Sequence, residues 1–392
     1  MVNFQYYTPT KVIFGKNSEE QVGGLIKEGN YKKILIHYGG QSAKKSGLLD
    51  RIIASIKEEG ISYVELGGVV PNPRLSKVYE GIELCKKEGV DFILAVGGGS
   101  VIDSAKAIGY GLAGNGDVWD YFEKKKEPKG CTPVGAILTI AAAGSEMSNS
   151  CVITKDEGGI KRGCKSDYSR CKFAIMNPDL TKTLPKYQTS SGCVDILMHT
   201  IERYFAADKE MELTDGIAEG LMRTVIHHAK ILVDDPFNDD SRAEIMWASS
   251  LSHNGITGCG TLGDWACHQI EHELSGMFDV AHGAGLAAIY GSWARYVYKT
   301  DPSRFAKFAV QVMGVTQNFR DVEKTALDGI KALEEFFTSI EMPTSIGELG
   351  ITLTEDLRKE LAYKCTFQDT RTIGGFKVLD KKDIETIYRM AQ

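Results

Sequence analysis

Four residues in the second half of the chain combine one carboxylate with three imidazoles. Asp195 and His199 are four positions apart, a spacing that would place both side chains on one face of a helix, a turn apart. His268 and His272 repeat this spacing, and His282 follows shortly afterwards. One carboxylate with two or three imidazoles is a ligand set that suits zinc or ferrous iron. The pattern is therefore compatible with a divalent metal site.

The same residues could instead have a purely structural role and bind no metal. A histidine in a helix is more often a hydrogen-bonded core or surface residue than a metal ligand, and the spacing does not show that the two helices meet. His227, His228 and His253 lack a partner at a matching distance, and we interpret them as structural. The residues alone leave both interpretations open.

Glycine turns follow two apolar runs in the first half of the chain. The run that ends at Val96 leads directly into a glycine-rich turn and then into helical spacing. Such a junction presents backbone N–H groups and the positive end of a helix to a phosphate, although a tight turn with a Ser cap is the alternative. The turn consists of Gly97, Gly98, Gly99 and Ser100. A second pair, Gly39 and Gly40, ends the first strand where a doubly wound sheet opens a crevice, so the two turns together favour a dinucleotide.

The elements that must position these residues divide the chain in two. Apolar runs and helical spacing alternate up to about Leu184, which predicts a mostly parallel sheet with helices on both faces. The glycine pair within residues 154–160 predicts a hairpin. Predicted strands span 32–38, 62–66, 91–96 and 133–139, and predicted helices in this half span 48–59 and 75–88. We predict a Rossmann-like, dinucleotide-binding α/β domain over residues 1–186, followed by an all-α domain over residues 187–392.

The bulk composition narrows the class of protein. The net charge of −6 arises from 46 basic and 52 acidic residues, which argues against nucleic acid as a partner. No apolar stretch reaches the ~20 residues that span a bilayer, and the N-terminus shows no secretion signal. The nine cysteines form no C-x-x-C pair and are interpreted as reduced thiols. We expect a soluble, cytoplasmic protein that binds neither nucleic acid nor membrane.

A set of motifs spread along the chain now allows a comparison with a family. In chain order they are Gly97-Gly-Gly-Ser-Val-Ile-Asp103, Gly144-Ser-Glu146, Asp195-x-x-x-His199, and His268-x-x-x-His272 with His282-Gly283. Together they resemble the iron-containing, group III alcohol dehydrogenases, especially the butanol dehydrogenase and NADPH-dependent aldehyde reductase branch. The resemblance covers essentially the whole chain. It implies a dehydroquinate synthase-like fold and a homodimer that transfers hydride between NAD(P)H and a small primary alcohol or aldehyde, such as butanol or butanal.

The resemblance also implies roles for individual residues. One Fe²⁺ or Zn²⁺ would be bound by Asp195, His199, His268 and His282. His272 would lie beside the nicotinamide rather than on the metal, as a catalytic residue. Cofactor contacts, indicated by the turns or implied by the resemblance, are Gly39, Gly40, Ser42, Gly97, Gly98, Gly99, Ser100, Asp103, Thr139 and Lys161.

Two positions depart from the family pattern. Ala143 lacks a hydroxyl that the family often carries before Gly144, whereas Thr139 keeps its own. At Gly39, NAD-preferring members often carry an Asp, which binds the ribose 2′-OH and repels a 2′-phosphate. Gly39 does neither, and Ser42 and Lys44 are suited to accept a phosphate. We expect NADPH to be accepted and leave the preference between NADH and NADPH open.

Two other functions fit parts of the sequence. The run His268-Gln-Ile-Glu-His272 matches the H-x-x-E-H motif of a zinc metallopeptidase, with Glu271 as the base, but this leaves the glycine turns without a role. A nucleotide-binding protein that had lost its catalytic activity would not need all four candidate metal ligands. An oxidoreductase accounts for the turns and the ligands together.

Overall fold

The computed structural model describes residues 2–206 and 211–392. Its backbone forms two compact units, Tyr7–Thr183 and Leu184–Gln392, and residues 2–6 belong to the second. The strands of the first unit are β1 (Lys11–Phe14), β2 (Lys33–Tyr38), β3 (Ser62–Leu66), β4 (Phe92–Gly97), β5 (Val134–Leu138), β6 (Ser150–Lys155), β7 (Ile160–Lys165) and β8 (Phe173–Met176). Its helices are α1 (Val22–Glu28), α2 (Ser42–Lys45), α3 (Leu48–Glu58), α4 (Leu75–Glu88), α5 (Gly99–Ala113) and α6 (Trp119–Phe122).

A six-stranded parallel sheet forms the centre of the first unit, in the order β1-β8-β5-β4-β2-β3. Every residue of β4 and β5 is buried, although successive side chains point to opposite faces of the sheet. Both faces of these strands are therefore covered, which explains their continuous apolar runs. The predicted α/β fold class is confirmed.

The strand order reverses between β2 and β4. From β2 the chain continues outward to β3, whereas from β4 it continues through β5 to the opposite side of the sheet. The two strands are parallel neighbours with Tyr38 opposite Val96, so the turns that follow them leave the same edge of the sheet side by side. This is the switch point at which open α/β sheets bind ligands.

The predicted elements of this unit occur close to their predicted bounds, and the predicted hairpin is confirmed. Strands β6 and β7 are antiparallel, with Thr154 opposite Lys161 and Lys155 opposite Ile160. The sequence did not predict β1 and β8. Each has only four residues, too few for a hydrophobic period to show, and β1 lies at the edge of the sheet with an exposed residue at each end.

The second unit is helical, and among its described residues no strand occurs beyond an isolated bridge between Ile373 and Leu379. Its helices are α7 (Lys186–Tyr204), α8 (Glu212–Asp234), α9 (Asp239–His253), α10 (Ala266–Phe278), α11 (His282–Val297), α12 (Pro302–Gln311), α13 (Val322–Ser339), α14 (Glu355–Cys365) and α15 (Lys381–Met390). Helix α7 is buried on all sides from Thr189 onward and packs against α8, α9 and α11, so it is the central helix. The Val2 N–H donates to the Gly260 carbonyl at 3.0 Å. Within residues 2–206 and 211–392, every helix is too short or too polar to cross a bilayer.

Candidate metal centre and cofactor-binding turns

The central helix α7 carries the first two candidate ligands. Asp195 and His199 lie one turn apart, as their spacing predicts, and Asp195 Oδ1 is 3.3 Å from His199 Nδ1. Both side chains are buried because α7 is enclosed by its neighbours. A carboxylate and an imidazole are thus held together in the interior of the helical unit.

Two further imidazoles approach the same carboxylate oxygen from other helices. The Nε2 atoms of His268, on α10, and His282, the first residue of α11, lie 3.8 Å and 3.7 Å from Asp195 Oδ1. The ligand atoms of these three residues all lie within 4.8 Å of one another. His199 adjoins them through Asp195 and through His268, whose ring centroid is 4.5 Å from its own. The structure brings the four candidate ligands together.

The residues present fit a divalent cation. Three of the converging atoms are buried and make no hydrogen bond: Asp195 Oδ1, His199 Nδ1 and His268 Nε2. A buried polar group without a partner costs about 1–3 kcal/mol, and here a carboxylate oxygen faces two imidazole nitrogens. A divalent cation satisfies all of these donors at once, and their types suit iron and zinc alike.

Two fully buried carboxylates contact the ligand histidines: Glu202, which the sequence did not indicate, and Glu271, which it suggested only as the base of a metallopeptidase. The Nδ1 atom of His268 donates to Glu202 Oε2, and the Nδ1 atom of His282 donates to Glu271 Oε2. Glu202 Oε1 also accepts from the Cys267 N–H at 2.6 Å, at the start of α10. Each carboxylate lies three positions beyond a ligand on its own helix yet bonds a ligand on a different helix. The sequence shows the spacing of three residues within each helix but not the hydrogen bond between helices.

The electrostatic environment shifts the pKa values of two buried imidazoles, His199 and His268, in opposite directions. Burial lowers the pKa of His199 well below its ordinary value, and the neighbouring His268 lowers it further. Burial also opposes the charged form of His268, but the Glu202 and Asp195 carboxylates outweigh it and raise the pKa of His268 to about 9. Nearby, burial lowers the pKa of Arg203 to about 10; its guanidinium donates to the His199 carbonyl at 2.6 Å and lies 4.5 Å from the centre of the Trp265 ring.

His272 lies next to this cluster but outside the group around Asp195. Its ring centroid is 5.7 Å from that of His282 and 6.5 Å from that of His268. Its ligand atom groups instead with those of Glu271 and His282. Both oxygens of Glu271 are already bonded, one to His282 and the other to the Ser275 hydroxyl. The metallopeptidase interpretation, which needs Glu271 as a free base, finds no support here.

In the first unit, the turn after β4 presents backbone at the start of α5. Gly98 is the N-cap residue and no side chain caps the helix, so Ser100 is not the cap that the alternative interpretation requires. A Cβ on Gly98 would lie 2.9 Å from Ile140 Cβ, and one on Gly99 would lie 2.9 Å from Ala143 Cβ. Only glycine fits here, and the first N–H groups of α5 have no partner within the helix.

The first glycine turn adjoins the second through Val101. A Cβ on Gly39 would lie 3.7 Å from Val101 Cγ2, and one on Gly97 would lie 2.5 Å from the same atom. Gly40 and Ser42 follow and are exposed, with Ser42 at the start of α2. The structure therefore brings both predicted turns together in the first unit.

The remaining candidates surround the β4–α5 turn. The Thr139 N–H donates to the Gly97 carbonyl at 3.0 Å, and the buried Lys161 donates from Nζ to Oδ1 of the buried Asn72 at 3.0 Å. Asp103 accepts from the Ser145 hydroxyl with one oxygen and from a backbone N–H of β6, at 2.8 Å, with the other. Burial raises the pKa of Asp103. Asp103 thus joins α5 to the loop and hairpin that carry Lys161.

A buried lysine that the sequence analysis did not single out holds the same loop. Lys106 lies one turn beyond Asp103 on α5 and is fully buried. Its ammonium donates to the carbonyls of Ser145, Ser148 and Ser150 at 2.7, 2.9 and 2.9 Å. The loop before β6 is therefore fixed to α5 by two side chains of opposite charge.

Comparison with known proteins places these features in a family. The model of the iron-containing alcohol dehydrogenases matches residues 9–178, and that of the C-terminal part of the Fe-containing alcohol dehydrogenase family matches residues 189–392. NADH-dependent butanol dehydrogenase A of Clostridium acetobutylicum is 38% identical over 99% of both chains, and the NADPH-dependent aldehyde reductase YqhD of Escherichia coli is 34% identical over 90% of both. The crystal structure of NADH-dependent butanol dehydrogenase A from Thermotoga maritima superposes with a TM-score of 0.95, at 37% identity over 100% of this chain and 99% of that one. The chain belongs to the iron-containing alcohol dehydrogenase family.

Proposed function

We propose that this protein is a metal-dependent alcohol dehydrogenase and aldehyde reductase that uses NAD(P)H and a small primary alcohol or aldehyde, such as butanol or butanal. The observation that carries the proposal is the convergence of Asp195, His268 and His282 on one point, where buried donors make no hydrogen bond. The similarity to butanol dehydrogenases and to an aldehyde reductase supports the substrate class. We further propose that it acts in the cytoplasm as a homodimer, without nucleic-acid or membrane partners.

The reaction needs a group that stabilises charge on the substrate oxygen. One Fe²⁺ or Zn²⁺ held by Asp195, His199, His268 and His282 would supply a Lewis acid for that oxygen. The alcohol loses a hydride to the oxidised nicotinamide and a proton to solvent, which leaves an aldehyde and NAD(P)H; reduction is the reverse. His272 is proposed to move the proton or to position the substrate, as a group beside the metal ligands rather than among them.

The first unit is proposed to bind the dinucleotide through its backbone. The N–H groups of Gly98, Gly99 and Ser100 at the start of α5 are suited to the pyrophosphate. Thr139 and Lys161 flank that turn with a hydroxyl and an ammonium. Asp103 is proposed to support the cofactor surface through Ser145 and the hairpin, because both of its oxygens are already bonded.

Activity is tested with the metal-loaded protein, butanal, and NADH or NADPH, by following the nicotinamide absorbance. Oxidation of the cofactor that depends on both aldehyde and metal is the expected result. Failure to oxidise either cofactor with any short aldehyde would contradict the proposal, and cleavage of casein would support the metallopeptidase instead.

Gly39→Asp tests the proposed position of the ribose 2′ group. A Cβ there would meet its nearest atom, the Val69 carbonyl oxygen, at 3.4 Å, an ordinary contact, so the variant should fold. The new carboxylate should repel a 2′-phosphate by about 1–3 kcal/mol in a solvated setting and shift the ratio of kcat/KM values roughly ten- to a hundredfold toward NADH. Asn30→Asp adds the same charge at an exposed position before β2 and should leave the ratio unchanged. Rejection of NADPH by the unchanged protein, or an unchanged ratio in Gly39→Asp, would show that Gly39 does not face this group.

A further inference from the structure

We propose that Glu202 and Glu271 are positioning residues for the metal centre, each fixing a ligand histidine of another helix so that its Nε2 faces the ion. This inference rests on the proposed metal site and assigns roles to two carboxylates outside the ligand set. Glu202 on α7 acts on His268 of α10, and Glu271 on α10 acts on His282 of α11.

The hydrogen bond from His268 decides which nitrogen binds metal. An imidazole bound to a metal is neutral and carries one N–H, so when Nδ1 donates to Glu202, Nε2 keeps the lone pair for the ion. That Nε2 is the buried atom without a hydrogen bond, 3.8 Å from Asp195 Oδ1. The tautomer set by Glu202 is therefore the one that a metal requires.

Glu271 does the same for His282 and is itself confined. Its second oxygen accepts from the Ser275 hydroxyl, one turn along α10. On the other side, a Cβ on Gly285 would lie 2.8 Å from both Cγ and Oε1 of Glu271, so the side chain packs directly against Gly285. The Nε2 atom of His282 is thereby held toward Asp195 at 3.7 Å.

The charges of the centre support the same assignment. Asp195, Glu202 and Glu271 place three carboxylates in the interior, each no more than 4% exposed, and the buried cation beside them is Arg203. The Arg203 guanidinium donates to backbone carbonyls of His199 and Ser252 instead of to these carboxylates. Buried charges require compensation, and a divalent cation supplies it while the carboxylates increase the basicity of their imidazoles.

The test uses two substitutions that keep the shape of the side chain. Glu202→Gln can still accept from the Cys267 N–H, and Glu271→Gln can still accept from the Ser275 hydroxyl. Zn²⁺ affinity, measured by competition with a chromogenic chelator, should fall about 10- to 100-fold in each variant. Glu219→Gln is the matched control. Glu219 is a buried carboxylate of α8 that accepts from the Tyr204 hydroxyl at 2.8 Å, and its substitution should leave the affinity unchanged.

A spectroscopic measurement separates positioning from a general structural effect. In the Co²⁺-loaded protein, the Nδ1–H of a ligand histidine gives a paramagnetically shifted proton signal that disappears in heavy water. Glu202→Gln should shift or abolish one such signal and Glu271→Gln a different one, while Glu219→Gln should preserve both.

The outcomes distinguish this inference from the proposed function. If the unchanged protein binds neither Zn²⁺ nor Co²⁺, the proposed metal site is wrong. If it binds both ions and the two glutamine variants match it in affinity and proton signals, only the assignment of Glu202 and Glu271 is overturned. Should Glu202→Gln fail to fold, Glu271→Gln decides, with Ser275→Ala as a milder change expected to weaken Zn²⁺ binding by a smaller factor.

Discussion

Asp195 Oδ1 is the atom around which the proposed centre is arranged, because imidazole nitrogens from three helices lie 3.3 to 3.8 Å from it. Its pairing with His199 could be predicted, since both residues are on one helix and helical spacing is regular. The preference for His268 over His272 could not be derived from spacing and came from the resemblance to a family. The hydrogen bonds from the ligand histidines to Glu202 and Glu271 could not be predicted, because a hydrogen bond between helices leaves no periodic pattern in the sequence.

His268→Ala should abolish stoichiometric metal binding and activity together, since it removes one of the converging nitrogens. Metal content of the purified variant, measured by plasma emission spectrometry, checks this. His272→Ala is the matched comparison: it should retain metal and lower kcat by roughly 10²–10⁴ if the imidazole moves a proton. Metal loss in His272→Ala with full occupancy in His268→Ala would reverse the two assignments.

At the scale of elements, the position of His282 depends on how closely α11 approaches α7. A Cβ on Gly283 would lie 1.9 Å from the Ser191 carbonyl oxygen, so no side chain fits between the helices at that point. Gly283→Ala should push α11 away, destabilise the protein by about 1–3 kcal/mol, and weaken Zn²⁺ binding because His282 moves with its helix. Urea unfolding and chelator competition measure the two effects.

Gly216→Ala provides the control for this substitution. Gly216 lies on α8 with open space around it, and a methyl group there should stabilise the protein by about 0.4–1 kcal/mol without changing metal affinity. Unchanged stability and affinity in Gly283→Ala would show that α7 and α11 adjust at no cost.

The sheet of the first unit contains a buried titratable group with a predictable effect of pH. His37 on β2 donates from Nδ1 to the Leu66 carbonyl of β3 and accepts at Nε2 from the Ser104 hydroxyl of α5, both at 2.9 Å. Burial lowers the pKa of His37 to about 4. The unfolded chain therefore takes up the proton first, and stability should decline as pH falls from about 6.5 to about 4, by up to ~1.4 kcal/mol per pH unit.

His37→Gln should flatten this part of the stability profile. Urea unfolding at a series of pH values measures the slope of stability against pH. Hydrogen exchange of β2 at the same pH values reports the local effect in the sheet. His227→Gln removes an exposed histidine of the helical unit and should retain the slope. The same slope in His37→Gln as in the unchanged protein would mean that other groups cause the decline.

Element type was the most predictable feature of the chain. The buried strands β4 and β5 were predictable because both of their faces are covered and every residue is apolar or glycine. The short edge strand β1 and its partner β8 carry no such pattern, and their pairing depends on residues far apart in the chain, Lys11 with Phe173. Sequence periodicity records local burial but not such distant pairing.

At the scale of the whole molecule, the metal and the dinucleotide are proposed to bind to different units, so they should stabilise different parts of the chain. Removing the metal with a chelator leaves the buried carboxylates uncompensated and forfeits the stabilisation by binding, about 4 kcal/mol at a thousand times Kd. Hydrogen exchange should then increase in α7, α10 and α11 and change little in β2 and β4. An equal increase in both units would contradict the assignment of the metal to the helical unit.

The hydrogen bond from Val2 to the Gly260 carbonyl has a consequence for the order of events during synthesis. Residues 2–6 are synthesised well before Gly260, yet they belong to the helical unit, most of which is made after the sheet unit. At about 5–20 residues per second, this segment waits on the order of ten seconds or more before Gly260 emerges. The sheet unit, Tyr7–Thr183, is continuous in sequence and has no such wait. Val2 thus cannot form its bond to Gly260 while the helical unit is still being made, and that unit can close only after Gly260 has emerged.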